Sequence, residues 1–210
     1  ILDVKCAFLY GECKRTIYIE LPTEDPRYDT GVVGQLRKAM YGTRDAPQIW
    51  AGEVARVLTS LGFERSVLQP SVYFHRARQM IVIVHVDDFM CSGSELDCRW
   101  LYDSLKAQYD LKHTLLHPGS IEEARYLNRR LRWVGLEIEI EGDDKHVKVL
   151  QDEWGMTQCR PVDTPITKSQ IEEMNTGDPL KEEDARKARR AVARINYMAQ
   201  DRPDLAVASR

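Results

Sequence analysis

The chain has 210 residues, 43% of them hydrophobic and 30% charged, which is enough to bury a core within one domain and leave a small appendage. A formal net charge of -3 excludes a globally basic nucleic-acid binder, so phosphate contacts would have to come from local patches such as "RYLNRRLR" (125–132) and "KARRAVAR" (187–194). No apolar run approaches the roughly 18 residues of a membrane span and no leader pattern opens the chain, while five cysteines without a CxxC favour neither a zinc knuckle nor a closed disulfide framework and read as reduced intracellular thiols.

In chain order, residues 1–9 read as a buried strand running into Tyr10-Gly11. Ile1 is no initiator methionine and "ILDVKCAF" reads as the middle of a strand, so a piece of something longer is expected. "TIYIELP" (16–22) alternates like a second strand stopped by Pro22, and "TEDPRYDTG" is a loop. After Pro47, Trp50, Val54, Val57, Leu58 and Leu61 recur at helical spacing until Gly62. Strands then flank Arg76–Gln79, and a third follows the acid pair Asp87-Asp88. Leu96, Trp100, Leu101, Leu105 and Tyr109 form another amphipathic helix. Farther on come a short helix (122–131), a hairpin "WVGLEIEI...HVKVL" around "EGDD", and a helix near 151–157. "CRPVDTPITKSQ" is irregular, and a charged helix runs from Lys181 to Ala199. The order suits an α+β layer, an antiparallel sheet backed by helices. No GxGxxG or GxxxxGK[ST] supports a dinucleotide or P-loop site.

The stretch "MIVIVHVDDFMC" (80–91) carries the chemistry. Two adjacent acids in an apolar frame are costly unless something positive compensates them, and the economical geometry is a hairpin with Asp87-Asp88 at or beside the turn between Val86 and Phe89. If the strand bearing Asp3 lies in the same sheet, three carboxylates converge, a donor set suited to Mg²⁺. On turn chemistry alone such a pair is more often only a solvated tip. His113 and His117 stand four apart, but Pro118 and a missing third ligand argue against a metal pair.

Six blocks, "LDVKCAFLYGECKRTIYIELP", "VGQLRKAMYGTRDAPQIWAGEVARVLTSLGFERSVLQPSVYF", "VIVHVDDFMCSGS", "VGLEIEI", "GMTQCRPVDTPI" and "RINYMAQDRPDLAVAS", follow one another in the order and approximate spacing of a copia-type retrotransposon reverse transcriptase, which the chain resembles over nearly its whole length. The resemblance implies a polymerase palm at 1–150, with part of the fingers at 10–45 and a primer-grip hairpin at 131–150, then a thumb-like or connection-like segment at 151–210. The fingers would be largely missing.

In "DVKCAF", which resembles the first palm motif, Asp3 would be a metal ligand and Val4 would offer its carbonyl. Phe8 would be the aromatic that leaves no room for a 2′-hydroxyl, or else an ordinary core ring. "YGTRDAPQIW" resembles the family's Y-G-L-K-Q-S-P-R-x-W. There Gly42 would allow close approach to nucleotide or template and Ala46-Pro47 would open the palm helix. Asp45 stands in place of Gln and Gln48 in place of Arg, which puts polar contacts there in doubt. "HVDD" resembles Y-V-D-D: Asp87 would be the second metal ligand, Asp88 the neighbouring catalytic acid, and His85, in place of Tyr, would rest against the primer end or be a plain strand residue. Lys112 is a candidate general acid toward pyrophosphate, with a solvated surface charge as the alternative. Trp133 and Gly135 are candidate primer-grip contacts, with Trp133 equally a core ring. The basic helix from Lys181 would track the duplex, or be a solvated face.

The implied cofactor is a pair of Mg²⁺ ions, with Mn²⁺ able to substitute. The implied partners are an RNA/DNA template–primer duplex, deoxynucleoside triphosphates, and the integrase and RNase H of a Pol polyprotein, with no membrane. The implied setting is intracellular, a cytoplasmic particle or the nucleus. Two other readings remain open at this level. One is a decayed or co-opted remnant that binds nucleic acid or scaffolds without catalysis, and the other is a different palm or two-metal nuclease.

Overall fold

A computed structural model describes residues 1–160, 162, 167–173 and 178–206, apart from the side chain of residue 171. The first strand, β1 (Leu2–Val4), buries Leu2 and Val4 and leaves Asp3 exposed. It ends early because Cys6 takes a left-handed conformation (φ 51°) and turns the chain into a 3₁₀ turn, Ala7–Tyr10. The expected strand over 1–9 is therefore cut to three residues. An exposed arm follows, made of the antiparallel pair β2 (Tyr18–Glu20) and β3 (Val33–Gln35).

Helix α1 (Ala46–Ser60) starts with Pro47 in its first turn, where a missing N–H costs nothing. It buries Ala46, Ile49, Trp50, Val54, Val57 and Leu58 along one stripe. Gly62, at φ +94°, ends it as expected. Strands β4 (Glu64–Arg65), β5 (Val72–His75), β6 (Met80–His85) and β7 (Asp88–Ser92) then form a meander. In α2 (Glu95–Lys106) the Ser94 hydroxyl accepts the Asp97 N–H, while Cys98, Leu101 and Leu105 face inward. Strand β8 (Leu111–His113) completes a six-stranded sheet of order β4-β5-β6-β7-β1-β8, antiparallel throughout. One face of this sheet, with Leu2, Val4, Met80, Val82, Phe89 and Leu111, shares a single core with α1 and α2. The opposite face shows Asp3, Ile81, Ile83, His85 and Lys112 to solvent. This is the α+β layer that the pattern suggested.

By compactness the chain divides into residues 1–127 and 128–210. The helix expected over 122–131 is instead two strands, β9 (Glu123–Tyr126) and β10 (Arg129–Val134), separated by Leu127 and Asn128, both at positive φ. The burial of Ala124 and partial burial of Tyr126, between exposed Glu123 and Arg125, has the two-residue period of a strand. The basic residues concealed that period.

In the second unit, β10 pairs with β11 (Glu137–Glu141) around Gly135-Leu136. "HVKVL" is not the return strand but part of α3 (Lys145–Glu153), because Asp143 and Asp144 supply acids at a helix N-terminus and Asp143 accepts the Lys145 N–H. That helix stands in place of the one expected near 151–157. The short α4 (Lys168–Glu173) and then α5 (Glu182–Met198) follow, and α5 opens on Glu182, Glu183 and Asp184. Helix α3 meets α5 through His146 and Tyr197, ring centroids 4.9 Å apart, and the Lys187 ammonium lies 4.7 Å from the Trp154 ring centre. Parts of "CRPVDTPITKSQ" and the end of "RINYMAQDRPDLAVAS" lie outside the described residues. Among the described residues, no helix is long and apolar enough to cross a membrane.

Candidate active site

The acid pair sits where two strands meet a third. Strands β6 and β7 close on a two-residue turn, Val86-Asp87, with His85 and Asp88 as the last partners. Strand β1 lies on the other side of β7, with Asp3 directly opposite Asp88, and β8 beyond it sets Lys112 opposite Asp3. Directly opposed residues in an antiparallel pair share a face. His85, Asp88, Asp3 and Lys112 therefore form one row across four strands on the face away from the helices.

Asp87, on the turn itself, is tied into this row through its backbone, since the Val4 N–H donates to its carbonyl at 2.9 Å. Burial raises the pKa of the Asp88 carboxyl, the charges of Asp87 and Asp3 raise it further, and nearby His85 works in the opposite sense. That repulsion is the electrostatic mark of carboxylates sharing a site.

Among the described residues, no three His, Cys, Asp or Glu side chains are gathered into a group that could close around a metal ion. The donors are nevertheless all oxygen and mutually repelling, the chemistry that a hard divalent cation relieves. In kind, these residues fit such an ion.

The turn is strained. Val86 has φ 55°, a left-handed conformation that costs a β-branched residue on the order of 1–3 kcal/mol. The residue that holds it was not marked as functional from the sequence: the Trp50 indole N–H donates to the Val86 carbonyl at 2.6 Å. Trp50 is itself buried at 2% exposure, and a buried indole N–H must find an acceptor. That rule was the available signal, but it does not say which acceptor.

Phe8 is buried at 8% exposure, with its ring centre 4.5 Å from that of Tyr41. Desolvation raises the Tyr41 pKa and the charge of Asp87 raises it further, although only its neighbour Gly42 was singled out from the sequence. Gly42 needs its glycine for φ +89°, while a Cβ there would meet nothing within 4 Å. A groove of about 400 Å³ runs beside these groups, lined by Phe8, Pro47, Trp50, Val54, Tyr73 and Val86. Tyr126, overlooked in its basic stretch, has its pKa raised by burial and then by Asp88.

Asp45 accepts a bidentate pair from Arg15, both bonds 2.9 Å, which holds its carboxyl down at about 2. The departure from Gln at this position thus ties the exposed arm to the start of α1. Trp133 and Gly135 lie in the second unit, on the β10–β11 hairpin, where the Trp133 indole N–H donates to the Gly135 carbonyl at 2.9 Å.

The antiparallel sheet backed by helices is consistent with what the family comparison finds. Residues 1–168 match the model of the family described as "Reverse transcriptase (RNA-dependent DNA polymerase)". The chain belongs to this family, as its motifs suggested. It is 30% identical over 99% of its length to the Retrovirus-related Pol polyprotein from transposon RE2 of Arabidopsis thaliana, and equally so to that from transposon RE1. It is 27% identical over 79% of its length to the corresponding polyprotein from transposon TNT 1-94 of Nicotiana tabacum. The chain spans about 14% of the length of the two Arabidopsis relatives and 12% of the tobacco one.

Proposed function

We propose that this chain is the palm of an RNA-directed DNA polymerase, residues 1–150, with the start of a thumb-like segment at 151–210, and that it joins deoxynucleotides to a primer 3′-hydroxyl within a longer Pol protein. The observation that carries the reading is the register that sets Asp3 opposite Asp88, with Asp87 on the adjoining turn, in a member of this family.

Asp3, Asp87 and the Val4 carbonyl would hold Mg²⁺ or Mn²⁺. When bound, such a pair of ions activates the attacking hydroxyl and stabilises the leaving pyrophosphate. Asp88 supplies further negative charge to the same face. Lys112, across the strand pair from Asp3, is positioned to give a proton to the departing pyrophosphate. Phe8, packed on Tyr41, bars a 2′-hydroxyl by bulk, and Gly42 leaves room for the nucleotide. His85 rests against the primer end. In the second unit Trp133 and Gly135 grip the primer backbone, and Arg186, Arg190 and their neighbours on α5 meet duplex phosphates.

The test is primer extension on an RNA template by the complete Pol protein with Mg²⁺, comparing wild type with Asp87→Asn. Removing one ligand of an ion that supplies several kcal/mol of charge stabilisation should slow extension by at least about a hundredfold, with template–primer binding retained. Binding without extension in the wild type would instead identify a remnant that holds nucleic acid and does no chemistry.

A further inference from the structure

We infer that Trp50 is a positioning residue for Asp87, fixing the backbone that presents its carboxylate. Asp87 is clamped at both of its peptide units. The preceding carbonyl, that of Val86, accepts from the Trp50 indole on α1 at 2.6 Å. Its own carbonyl accepts from Val4 N–H on β1 at 2.9 Å, the strand that carries Asp3. One bond therefore sets Asp87 against the helix layer and the other sets it against Asp3.

The first bond has the harder task. Val86 is the first central residue of a two-residue hairpin turn with positive φ there and not at Asp87, a place that glycine normally fills. Valine returns toward negative φ when nothing opposes it. Because the Trp50–Val86 bond is only partly buried, the Val86 carbonyl freed of the indole could turn to water. The Val86–Asp87 peptide would rotate with it and re-aim the Asp87 side chain.

Trp50 is in turn held rigid. Its ring meets Tyr109 edge-on at 5.3 Å and Tyr10 at 6.3 Å. The Tyr10 hydroxyl accepts the Asp110 N–H at 2.7 Å, at the start of the strand that presents Lys112. The aromatic cluster thus sets both flanks of the acid row.

The inference rests on the polymerase reading only for what Asp87 does. Its test uses two readouts and a rescue. Trp50→Phe keeps the ring and removes the donor; Val86→Gly makes positive φ cost nothing. In the complete Pol protein, W50F should lower kcat for nucleotide addition about tenfold, the value of one hydrogen bond, with KM for the nucleotide changed less than about twofold. In the 210-residue chain, hydrogen exchange over residues 85–89 should quicken by about tenfold more than exchange over Val54–Ser60, which follows only the change in overall stability. Adding V86G to W50F should restore both readouts.

Unchanged kcat and exchange in W50F would overturn the inference. So would exchange over residues 85–89 that quickens no more than exchange throughout α1, since Trp50 would then be only a core residue. A wild type without extension, alongside the expected local exchange and its rescue, would remove the polymerase reading and leave the clamp on Asp87 standing.

Discussion

The molecule contains the same turn twice, built from opposite materials. At Val86-Asp87 and at Gly135-Leu136 a two-residue hairpin has positive φ at its first central residue, and in both the carbonyl of that residue accepts a tryptophan indole N–H. At Gly135 the residue suits the conformation, and the donor, Trp133, is two positions away on a half-exposed strand. At Val86 the residue resists the conformation, and the donor arrives from the buried face of a helix, 36 positions earlier in the sequence. The first turn is specified by its own few residues. The second is specified by the fold, so its shape depends on the packing of α1 against the sheet. Strain of this kind persists only where the surroundings over-determine it, and such places are concentrated at functional sites.

If that contrast is right, losing the two tryptophans should have unequal consequences. Trp50→Phe in the isolated chain removes a partly buried hydrogen bond and part of a fully packed ring, and should cost about 2–3 kcal/mol in urea unfolding. Trp133→Phe, with its bond in reach of solvent, should cost less than about 1 kcal/mol. Equal losses would mean that the Val86 bond is no more than a surface contact.

Exchanging the turn residues sharpens the comparison, with a smaller effect. Gly135→Val forces a β-branched residue into positive φ without a buried donor to hold it, and should destabilise by about 1–2 kcal/mol. Val86→Gly releases strain but adds freedom to the unfolded chain, which leaves a net change of about 1 kcal/mol or less, in the stabilising direction. A clearly destabilised V86G would show that the valine side chain contributes packing in the groove that outweighs its strain.

What could be read from the sequence follows the range of the forces involved. The β6–β7 hairpin, α1 and α2 were legible because their apolar periods are local, and α1 also ends in a recognisable stop, Gly62. The stretch 122–131 was misread because its arginines hid the alternation of Ala124 and Tyr126, and nothing local announces positive φ at Leu127 and Asn128. The return strand after "EGDD" was misread because Val147 and Val149 suggest a strand, whereas the acids before them favour a helix start. At the candidate site, Asp3, Asp87 and Asp88 could be named from their motifs. The register that opposes Asp3 to Asp88, the approach of Tyr41, and the reach of Trp50 to Val86 are long-range facts. They depend on which strands become neighbours, and no window of sequence contains that information.

The smallest predicted effect concerns the cost of gathering carboxylates at the strained turn, a cost the glycine turn does not bear. The pKa of Asp88 is raised in the folded chain, first by burial and then by Asp87 and Asp3, above the roughly 3.9 of an unfolded aspartate. A raised folded pKa favours the native state below the unfolded value, and that contribution is lost as pH climbs through the folded one. At neutral pH the ionised Asp88 is therefore a burden on stability, and at pH about 3, below both values, it is not. Asp88→Asn should stabilise the chain at pH 7 by less than about 1 kcal/mol, because the group is only partly shielded from solvent, and the gain should vanish at pH about 3. Mg²⁺ should give a similar stabilisation to the wild type at pH 7 and less to D88N, since the cation relieves the same repulsion. Melting curves at the two pH values, with and without Mg²⁺, measure all four cases. A D88N variant that is equally stabilised at both pH values would mean that Asp88 is strained by packing and not by its neighbours' charge.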